Sequence, residues 1–302
     1  MTDTTCGFIA LIGEPNAGKS TLLNQMVGAK VSIVTHKVQT TRARIRGIAL
    51  QGPAQLVFVD TPGLFRPRRH LDRAMVAAAW SGAADADIVV LLIEAHRGIT
   101  NGVEAILQGL RERIGQRPVV LAINKIDRVK SDRLLALTTE MNQHFDFAAT
   151  FMISAEKGHG VQHLKEWLAH ELPKGPWLYP EDQIADAPMR MLAAEITREK
   201  LTLRLHQELP YQLTVETEQW QDRKDGSVRI EQIIYVMRDG HKGITLGPKG
   251  ETIKAVSMAA RQDLKIFLDR EVHLFLQVKV RPKWLEEPER YTEIGLDFKD
   301  GK

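Results

Sequence analysis

The sequence has few of the features typical of secreted and membrane-spanning proteins. Cys6 is the one cysteine in 302 residues, which excludes an internal disulfide and a thiolate cluster for zinc. The first eight residues have no basic stretch followed by an apolar one. The longest clean apolar run, Ile88 to Ile93, is too short to span a bilayer. We therefore expect a cytoplasmic protein, with peripheral contact to the inner membrane left open.

Charge of one sign is also scarce. The formal net charge is +3, so any anion-binding surface must come from local clustering. Hydrophobic residues make up 43% and charged residues 26%, values typical of a globular protein with a real core. A length of 302 residues allows one to three domains, and two is the most natural number.

The first part of the chain alternates between strand and helix patterns. The strand candidates are rich in Val, Ile and Leu and lie at 8–13, 45–50, 55–60, 87–94, 118–124 and 150–154. The helical segments lie at 18–26, 70–82, 101–113, 131–143 and 160–170. This alternation predicts a three-layer α/β domain with a mostly parallel sheet, whose ligands bind at the carboxyl ends of the strands.

The pattern changes after a stretch with three prolines and a glycine at 171–182. A helix at 189–207, strands at 211–220 and 228–237, a glycine-punctuated segment, a helix from Glu251 and a strand at 272–280 follow. The order αββααβ predicts a small α+β domain. The predicted boundaries are a first domain at 1–172, a linker at 173–188 and a second domain at 189–302.

The first motif is GEPNAGKS (13–20), which fits G-x-x-x-x-G-K-[ST] between a strand and a helix. Its backbone N–H groups and the helix N-terminus would face phosphate oxygens. Lys19 would reach the β- and γ-phosphates, and the Ser20 hydroxyl would bind Mg²⁺. The residues expected to contact the nucleotide here are Gly13, Glu14, Pro15, Asn16, Ala17, Gly18, Lys19, Ser20 and Thr21.

A second motif, DTPG (60–63), follows the strand predicted at 55–60. Asp60 would hold Mg²⁺ through a water and the Gly63 N–H would sense the γ-phosphate, with Thr61 and Pro62 between them. Leu64 follows where many such switches have a glutamine that orients the attacking water. We therefore expect slow intrinsic hydrolysis, with Leu64 turned away from the phosphate.

NKID (124–127) points to the base of the nucleotide. A buried Asp127 would accept both guanine N1–H and N2–H and would reject adenine, which lacks that pair of donors. Asn124 would contact N7 and brace the P-loop, and Lys125 would lie along the base. Ser154 and Ala155 end a later strand, and the Ala155 N–H would point at guanine O6.

The segment VTHKVQTTRARIRG (34–47) lies where a first switch would close over Mg²⁺ and the γ-phosphate. Thr41 is the predicted ligand, and Thr40 is the alternative. Arg42, Arg44 and Arg46 fit a solvated basic face at least as well as a catalytic role. The predicted catalytic residues are thus Lys19, Thr41 and Gly63, and the predicted Mg²⁺ ligands are Ser20, Thr41 and Asp60.

In the second domain, Gly247-Pro248-Lys249-Gly250 lies between two helix-forming stretches. A GxxG loop between helices beside a three-stranded sheet is the KH arrangement for single-stranded RNA. Ten basic and five acidic side chains between Arg238 and Lys283 leave a local charge of +5, which suits phosphate contact. The alternative is a solvated amphipathic helix beside a basic strand. The predicted RNA-binding residues are Gly247, Pro248, Lys249, Gly250, Lys242 and Lys254.

With these motifs together, the chain resembles the bacterial Era GTPases over nearly its full length. The resemblance is carried by GEPNAGKST (13–21), QTTR (39–42), DTPG, NKID, SAEKG (154–158), LYPED (178–182), AAEITREK (193–200), ELPY (208–211) and LGPKG (246–250) with IK at 253–254. It implies a P-loop GTPase domain and a type II KH domain, with GTP, GDP and Mg²⁺ as ligands. It also implies binding to the 3′ end of 16S ribosomal RNA, maturation of the small (30S) ribosomal subunit, and peripheral membrane association. A monomer is expected.

Two residues depart from the family pattern, and one suggests a further ion. Pro248 stands where many of these loops have a basic residue, and it removes one backbone N–H donor. Ser257 stands where the family helix has a glycine. Both bear on RNA affinity and specificity. Because related GTPases with an asparagine at the position of Asn16 use K⁺, that residue is a candidate K⁺ ligand.

Three functions remain open from the sequence. The first is a GTPase switch that acts as an RNA-bound assembly factor. The second is a nucleotide-gated RNA-binding module that scarcely turns over. The third is a membrane-associated or cell-cycle signalling GTPase whose KH domain mainly contacts protein. The intact Lys19, Ser20 and Asp60 favour the first over the second.

Overall fold

The computed structural model describes residues 4–35, 37, 45–67, 69–288, 291 and 296–301. These residues fall into two units. The first takes in the described residues of Met1–Ser32, Thr41–Asp186 and Gly295–Lys302. The second takes in those of Ile33–Thr40 and Ala187–Ile294.

The first unit is built on a mostly parallel sheet, which confirms the predicted α/β fold. Its strands run in the order β6-β5-β4-β1-β3-β2-β7, and β2 is antiparallel to both of its neighbours. β3 and β4 are buried at every residue, as expected of strands covered on both faces. The strands are β1 (Thr5–Gly13), β2 (Ile45–Gln51), β3 (Ala54–Asp60), β4 (Ile88–Glu94), β5 (Val119–Asn124), β6 (Ala149–Met152) and β7 (Ala185–Asp186).

Among the described residues, five α-helices cover the two faces of this sheet. They are α1 (Lys19–Val27), α2 (His70–Asp85), α3 (Asn101–Arg113), α4 (Ser131–His144) and α5 (Val161–Glu171). One apolar core contains side chains of α1 and α5, and the other contains side chains of α2, α3 and α4. Because β1, β3, β4 and β5 are parallel, the residues that follow them gather at one edge of the sheet. No helix of the described chain is long and apolar enough to cross a bilayer.

The predicted linker belongs largely to the first unit. β7 pairs with β2, and the fully buried Gln55 accepts the backbone N–H groups of Leu178 and Tyr179 at 2.9 and 3.0 Å. Gln55 also donates to the Tyr179 carbonyl at 2.8 Å. The unit boundary therefore lies after Asp186, whereas the proline-rich composition had suggested a linker over 173–188.

The last described residues also belong to a different unit from the one that the sequence predicts. The described residues after 295 group with the first unit, whereas the sequence had assigned all of 189–302 to the second domain. Phe298 supplies a reason, since its ring centroid lies 4.4 Å from that of His70 at the start of α2. This partly buried ring contact packs the end of the chain against α2 of the first unit.

The second unit has the predicted order αββααβ. Its three-stranded sheet has the order β10-β9-β8, with β9 parallel to β10 and antiparallel to β8. Val256, Ala260 and Leu264 are buried at a spacing of four, the spacing of an amphipathic helix that covers a sheet. The elements are α6 (Met189–Arg204), β8 (Leu213–Asp222), β9 (Val228–Val236), α7 (Asp239–Leu246), α8 (Glu251–Leu268) and β10 (Val272–Val280).

Part of the predicted first switch groups with this second unit. The Val34 N–H donates to the Glu199 carboxylate on α6 at 2.9 Å. The Lys37 ammonium donates to the carbonyls of Thr202, at 2.5 Å, and Leu205. These carbonyls lie at the carboxyl end of α6, where backbone acceptors lack intrahelical partners and a cation is favourable. Lys37 is therefore held by the carboxyl end of α6, and Val34 by a carboxylate within that helix.

Candidate nucleotide and RNA sites

The P-loop turns sharply between the end of β1 and the start of α1. Gly18 has φ 101° and ψ 21°, a left-handed conformation that suits glycine. A Cβ at this position would lie 2.2 Å from the Asn124 side-chain nitrogen, so the loop closes onto the NKID motif at a point where only glycine fits. The first turn of α1 has no acidic residue, which leaves its N-terminus favourable for an anion.

Lys19 lies folded into this loop. Its ammonium donates to the carbonyls of Gly13 and Glu14, at 3.0 Å each. Burial lowers the pKa of Lys19 to about 8, and the charges of Asp60 and Glu14 oppose that shift. The ammonium is thus held where the loop would surround phosphates. Its protonation state depends on the negative charges beside it.

Asp60, the last residue of β3, is fully buried and accepts two hydroxyl groups. Ser20 Oγ and Ser32 Oγ donate to the same carboxylate oxygen at 2.8 and 2.7 Å. The sequence predicted Ser20 but not Ser32, because no motif surrounds Ser32. Hydroxyl and carboxylate oxygens in contact form a donor set that suits Mg²⁺.

The DTPG turn packs against the P-loop. The Thr61 hydroxyl donates to the Leu11 carbonyl at 2.7 Å, and Pro62 is buried beside it. Gly63 lies so close to the P-loop that a Cβ would come within 2.9 Å of Pro15 Cα. The Leu64 N–H donates to the Gly13 carbonyl at 2.9 Å, and its side chain is 4% exposed within an apolar cluster of the first unit. Leu64 therefore acts as a core residue.

Asn124 joins three parts of the site. Its amide group donates to the Ala17 carbonyl at 2.8 Å, which supplies the predicted brace to the P-loop. Its side-chain oxygen accepts the N–H groups of Lys125 and Ala155 at 2.8 and 2.9 Å. The Ala155 N–H is therefore engaged by Asn124 in this structure, and its contact with guanine O6 stays a prediction.

Asp127 differs from its predicted environment. The sequence predicted a buried carboxylate, but Asp127 is exposed in the short helical turn after β5. The Ser154 hydroxyl donates to it at 2.6 Å and is the main reason that its pKa lies below the usual value. The carboxylate is ionised and oriented, as guanine recognition requires. Burial would have to come from a bound base.

Several residues at this edge escaped the sequence motifs. The Glu94 carboxylate contacts Lys125 at 2.5 Å and Arg97 at 3.3 Å. The Glu14 carboxylate accepts the Thr100 hydroxyl at 2.8 Å, so the second residue of the P-loop is tied to the residue that caps α3. The sequence alone places Glu94 in a strand and gives it no role in a site, since no local pattern marks its partners.

The first switch is incompletely covered. The predicted Thr41, the alternative Thr40, and Arg42 and Arg44 lie outside the described residues. Arg46 is described: it pairs with Asp186 at 2.9 Å and donates to the Tyr179 hydroxyl at 3.4 Å. These contacts favour a structural role for Arg46.

The glycine loop of the second unit joins α7 to α8. Gly247 has φ 74°, and a Cβ there would lie 2.2 Å from the Thr252 hydroxyl oxygen. Pro248 and Lys249 are exposed, as is Lys254 on the following helix. Lys242 on α7 is half-buried, and Gly250 is the N-cap residue of α8, with φ 79°. Two large apolar side chains nearby in sequence, Ile244 and Met258, are 58% and 56% exposed. A site for single-stranded RNA needs cations and a loop backbone that can approach the sugar-phosphates, with apolar surface for the bases. The loop and its neighbours supply these features.

These features define a class. P-loop, DTPG and NKID residues lie at the carboxyl ends of a mostly parallel sheet, and an αββααβ unit with a GxxG loop follows. The protein is therefore a P-loop GTPase domain followed by a KH domain.

Comparisons with known proteins agree with that class. A family model described as "50S ribosome-binding GTPase" matches residues 8–125, and one described as "KH domain" matches residues 208–285. GTPase Era of Dinoroseobacter shibae is 76% identical over 99% of this chain and 97% of its own. The chain belongs to the Era GTPase family, which confirms the resemblance seen in the sequence.

Two solved structures show the same fold over nearly the whole chain. A single-residue variant of Aquifex aeolicus Era bound to GDP.AlF4⁻ has a TM-score of 0.91 and 36% identity, covering 97% of this chain and 99% of that one. Era in complex with MgGDPNP and nucleotides 1506–1542 of 16S ribosomal RNA has a TM-score of 0.90, with the same identity and coverage.

Proposed function

We propose that this protein is a GTP-hydrolysing switch that binds the 3′ end of 16S ribosomal RNA through its KH domain and assists maturation of the small ribosomal subunit. The observation that carries the proposal is the presence, in one chain, of the P-loop site and the exposed GxxG loop. Similarity to an Era structure bound to MgGDPNP and 16S ribosomal RNA supports it. The chain belongs to a family of GTPases, and we expect slow turnover of GTP.

The nucleotide contacts would be divided among the motifs. Residues 13–21 would surround the phosphates, Lys19 would neutralise their charge, and the Gly63 N–H would meet the γ-phosphate. Asp127, held by Ser154, would read guanine, while Asn124 keeps the P-loop and the base-reading segment in register. Thr41 would complete the site when the first switch closes.

Mg²⁺ fits the residues that would hold it. Ser20 and Asp60 already have their oxygens 2.8 Å apart, and Ser32 shares the same carboxylate oxygen. The metal would neutralise phosphate charge. Leu64 is buried and has no hydrogen-bonding side chain, so it would not orient a water. Asn16, whose side chain is exposed and whose φ is 68°, would be a K⁺ ligand. Replacing K⁺ with Na⁺ should then lower turnover, and an unchanged rate would remove that ligand from the account.

RNA binding is tested by fluorescence anisotropy with an oligonucleotide covering nucleotides 1506–1542 of 16S ribosomal RNA. The full chain should bind more tightly with GDPNP than with GDP. Gly247→Asp and Gly250→Asp should abolish binding, since a carboxylate in the loop repels the sugar-phosphate backbone. Unchanged RNA binding in both variants would contradict the proposal and would favour a KH domain that contacts protein, as in a membrane-associated or cell-cycle signalling GTPase.

A further inference from the structure

A buried carboxylate ends the central strand β4. Glu94 is 8% exposed and follows six apolar residues, all buried. A carboxylate in such a place is costly unless it is paired. Glu94 contacts three basic side chains: the Lys125 ammonium at 2.5 Å, the Arg97 guanidinium at 3.3 Å and His96 Nε2 at 3.6 Å.

Lys125 is the contact that links Glu94 to the nucleotide site. Lys125 has φ 64°, an unusual conformation for a lysine, and its backbone N–H is held by Asn124. Its ammonium donates both to Glu94 and to the Asn16 carbonyl of the P-loop, the latter at 2.7 Å. A lysine side chain loses considerable rotamer freedom when it is fixed, so a strong partner is needed to hold it beside the loop.

A second set of contacts joins Glu94 to the P-loop through Arg97 and Glu14. Arg97 lies between the carboxylates of Glu94 and Glu14, at 3.3 and 3.9 Å. Glu14 also accepts the Thr100 hydroxyl, and that same hydroxyl oxygen accepts the Val103 N–H at the start of α3. The chain of contacts thus begins and ends on P-loop residues, and its two carboxylates balance Arg97 and Lys125.

We propose that Glu94 is a positioning residue of the guanine-nucleotide site, which acts by holding Lys125 against the P-loop. This inference rests on the proposed function of the first unit as a GTPase. Glu94 would act without touching the nucleotide. Its loss leaves the Lys125 ammonium with the Asn16 carbonyl as its remaining partner among the contacts described, so the base-reading segment and the P-loop separate more readily.

The test is Glu94→Gln in the full chain, which keeps side-chain shape and removes the charge. The dissociation rate of a fluorescent GDP should rise about tenfold, a change of about 1.4 kcal/mol. The weaker nucleotide binding should raise KM for GTP and leave kcat unchanged, because the contact is made equally in the ground state and the transition state. Glu104→Gln, an exposed change in the first turn of α3, is the matched control and should leave the rate unchanged.

A double-mutant cycle separates positioning from general destabilisation. In a Lys125→Met background, Glu94→Gln should change the GDP dissociation rate by less than about twofold. If Glu94→Gln does not fold, Glu94→Asp, which keeps the charge and shortens the reach, is measured in the same cycle. Equal effects in both backgrounds, or no effect in either, would overturn the role of Glu94. If the unchanged protein binds no guanine nucleotide, the proposed function itself fails instead.

Discussion

The Asn124 side chain donates to the Ala17 carbonyl at 2.8 Å, across 107 residues of sequence. This one contact ties the base-reading motif to the P-loop. Two further bonds, from the Lys125 and Ala155 N–H groups, fix the amide, which is 2% exposed. The two ends of the nucleotide site therefore cannot move independently without breaking buried hydrogen bonds.

Asn124→Ala should weaken both nucleotide binding and the fold of the first unit. Each buried group left unsatisfied costs about 1–3 kcal/mol. For a domain of this size, about 2–4 °C of melting temperature is lost per kcal/mol, so a fall of roughly 5–10 °C is expected. Differential scanning calorimetry with and without GDP measures it. Asn142→Ala on α4, where the amide is exposed, is the control; equal melting temperatures for the two variants would contradict the role of Asn124.

The pKa of Lys19 predicts proton uptake on nucleotide binding. Burial lowers that pKa to about 8, so the free protein loses this proton as the pH rises through that value. Phosphates favour the charged ammonium, so binding must restore the proton at higher pH. Uptake should therefore rise from about 0.1 proton at pH 7 to about 0.9 at pH 9. Calorimetric titration with GDP in buffers of different protonation enthalpy measures it; uptake that is flat with pH would contradict the prediction.

Leu64→Gln should not produce a fast GTPase. The Leu64 side chain lies in an apolar cluster, and burying an amide there costs about 1–3 kcal/mol without placing it near a phosphate. Turnover should change by no more than a few fold, and the melting temperature should fall. Leu64→Met, which conserves volume, should retain the stability within about 1.5 kcal/mol. A rate gain of about 100-fold in single-turnover assays would show that the side chain reaches the reacting groups.

The KH loop should contact RNA through both its backbone and its charge. Gly247→Ala adds a Cβ at a position with φ 74°, facing Thr252, so the loop must rearrange and RNA affinity should fall. Lys249→Ala should reduce the slope of log affinity against log salt by about 0.7, because one phosphate contact is lost. Lys224→Ala, in the exposed β8–β9 turn, should leave the slope unchanged. Equal slopes for Lys249→Ala and the unchanged protein would place Lys249 outside the interface.

Much of the fold could be predicted because the relevant signals are local. The apolar strands, the helix periods and the order αββααβ each depend on short stretches of sequence. P-loop, DTPG and NKID are also contiguous, and the parallel sheet brings their ends to one edge.

Other features depend on contacts between distant residues that no local pattern encodes. β7 is only two residues long, too short to give a strand pattern. The segment before it is held by the buried Gln55, which donates to the Tyr179 carbonyl across 124 residues of sequence. Ser32 is placed at the site by its hydrogen bond to Asp60. Glu94 is placed there by its contact with Lys125. For the same reason, the exposure of Asp127 and the engagement of the Ala155 N–H could not be predicted from their motifs.

We propose that this protein hydrolyses GTP and that ribosomal RNA is its partner. The most direct measurement is steady-state phosphate release from GTP by the full chain in K⁺ and Mg²⁺, with and without an oligonucleotide covering nucleotides 1506–1542 of 16S ribosomal RNA. We predict slow release by the protein alone and faster release with the RNA. Absence of phosphate release under both conditions would contradict the account.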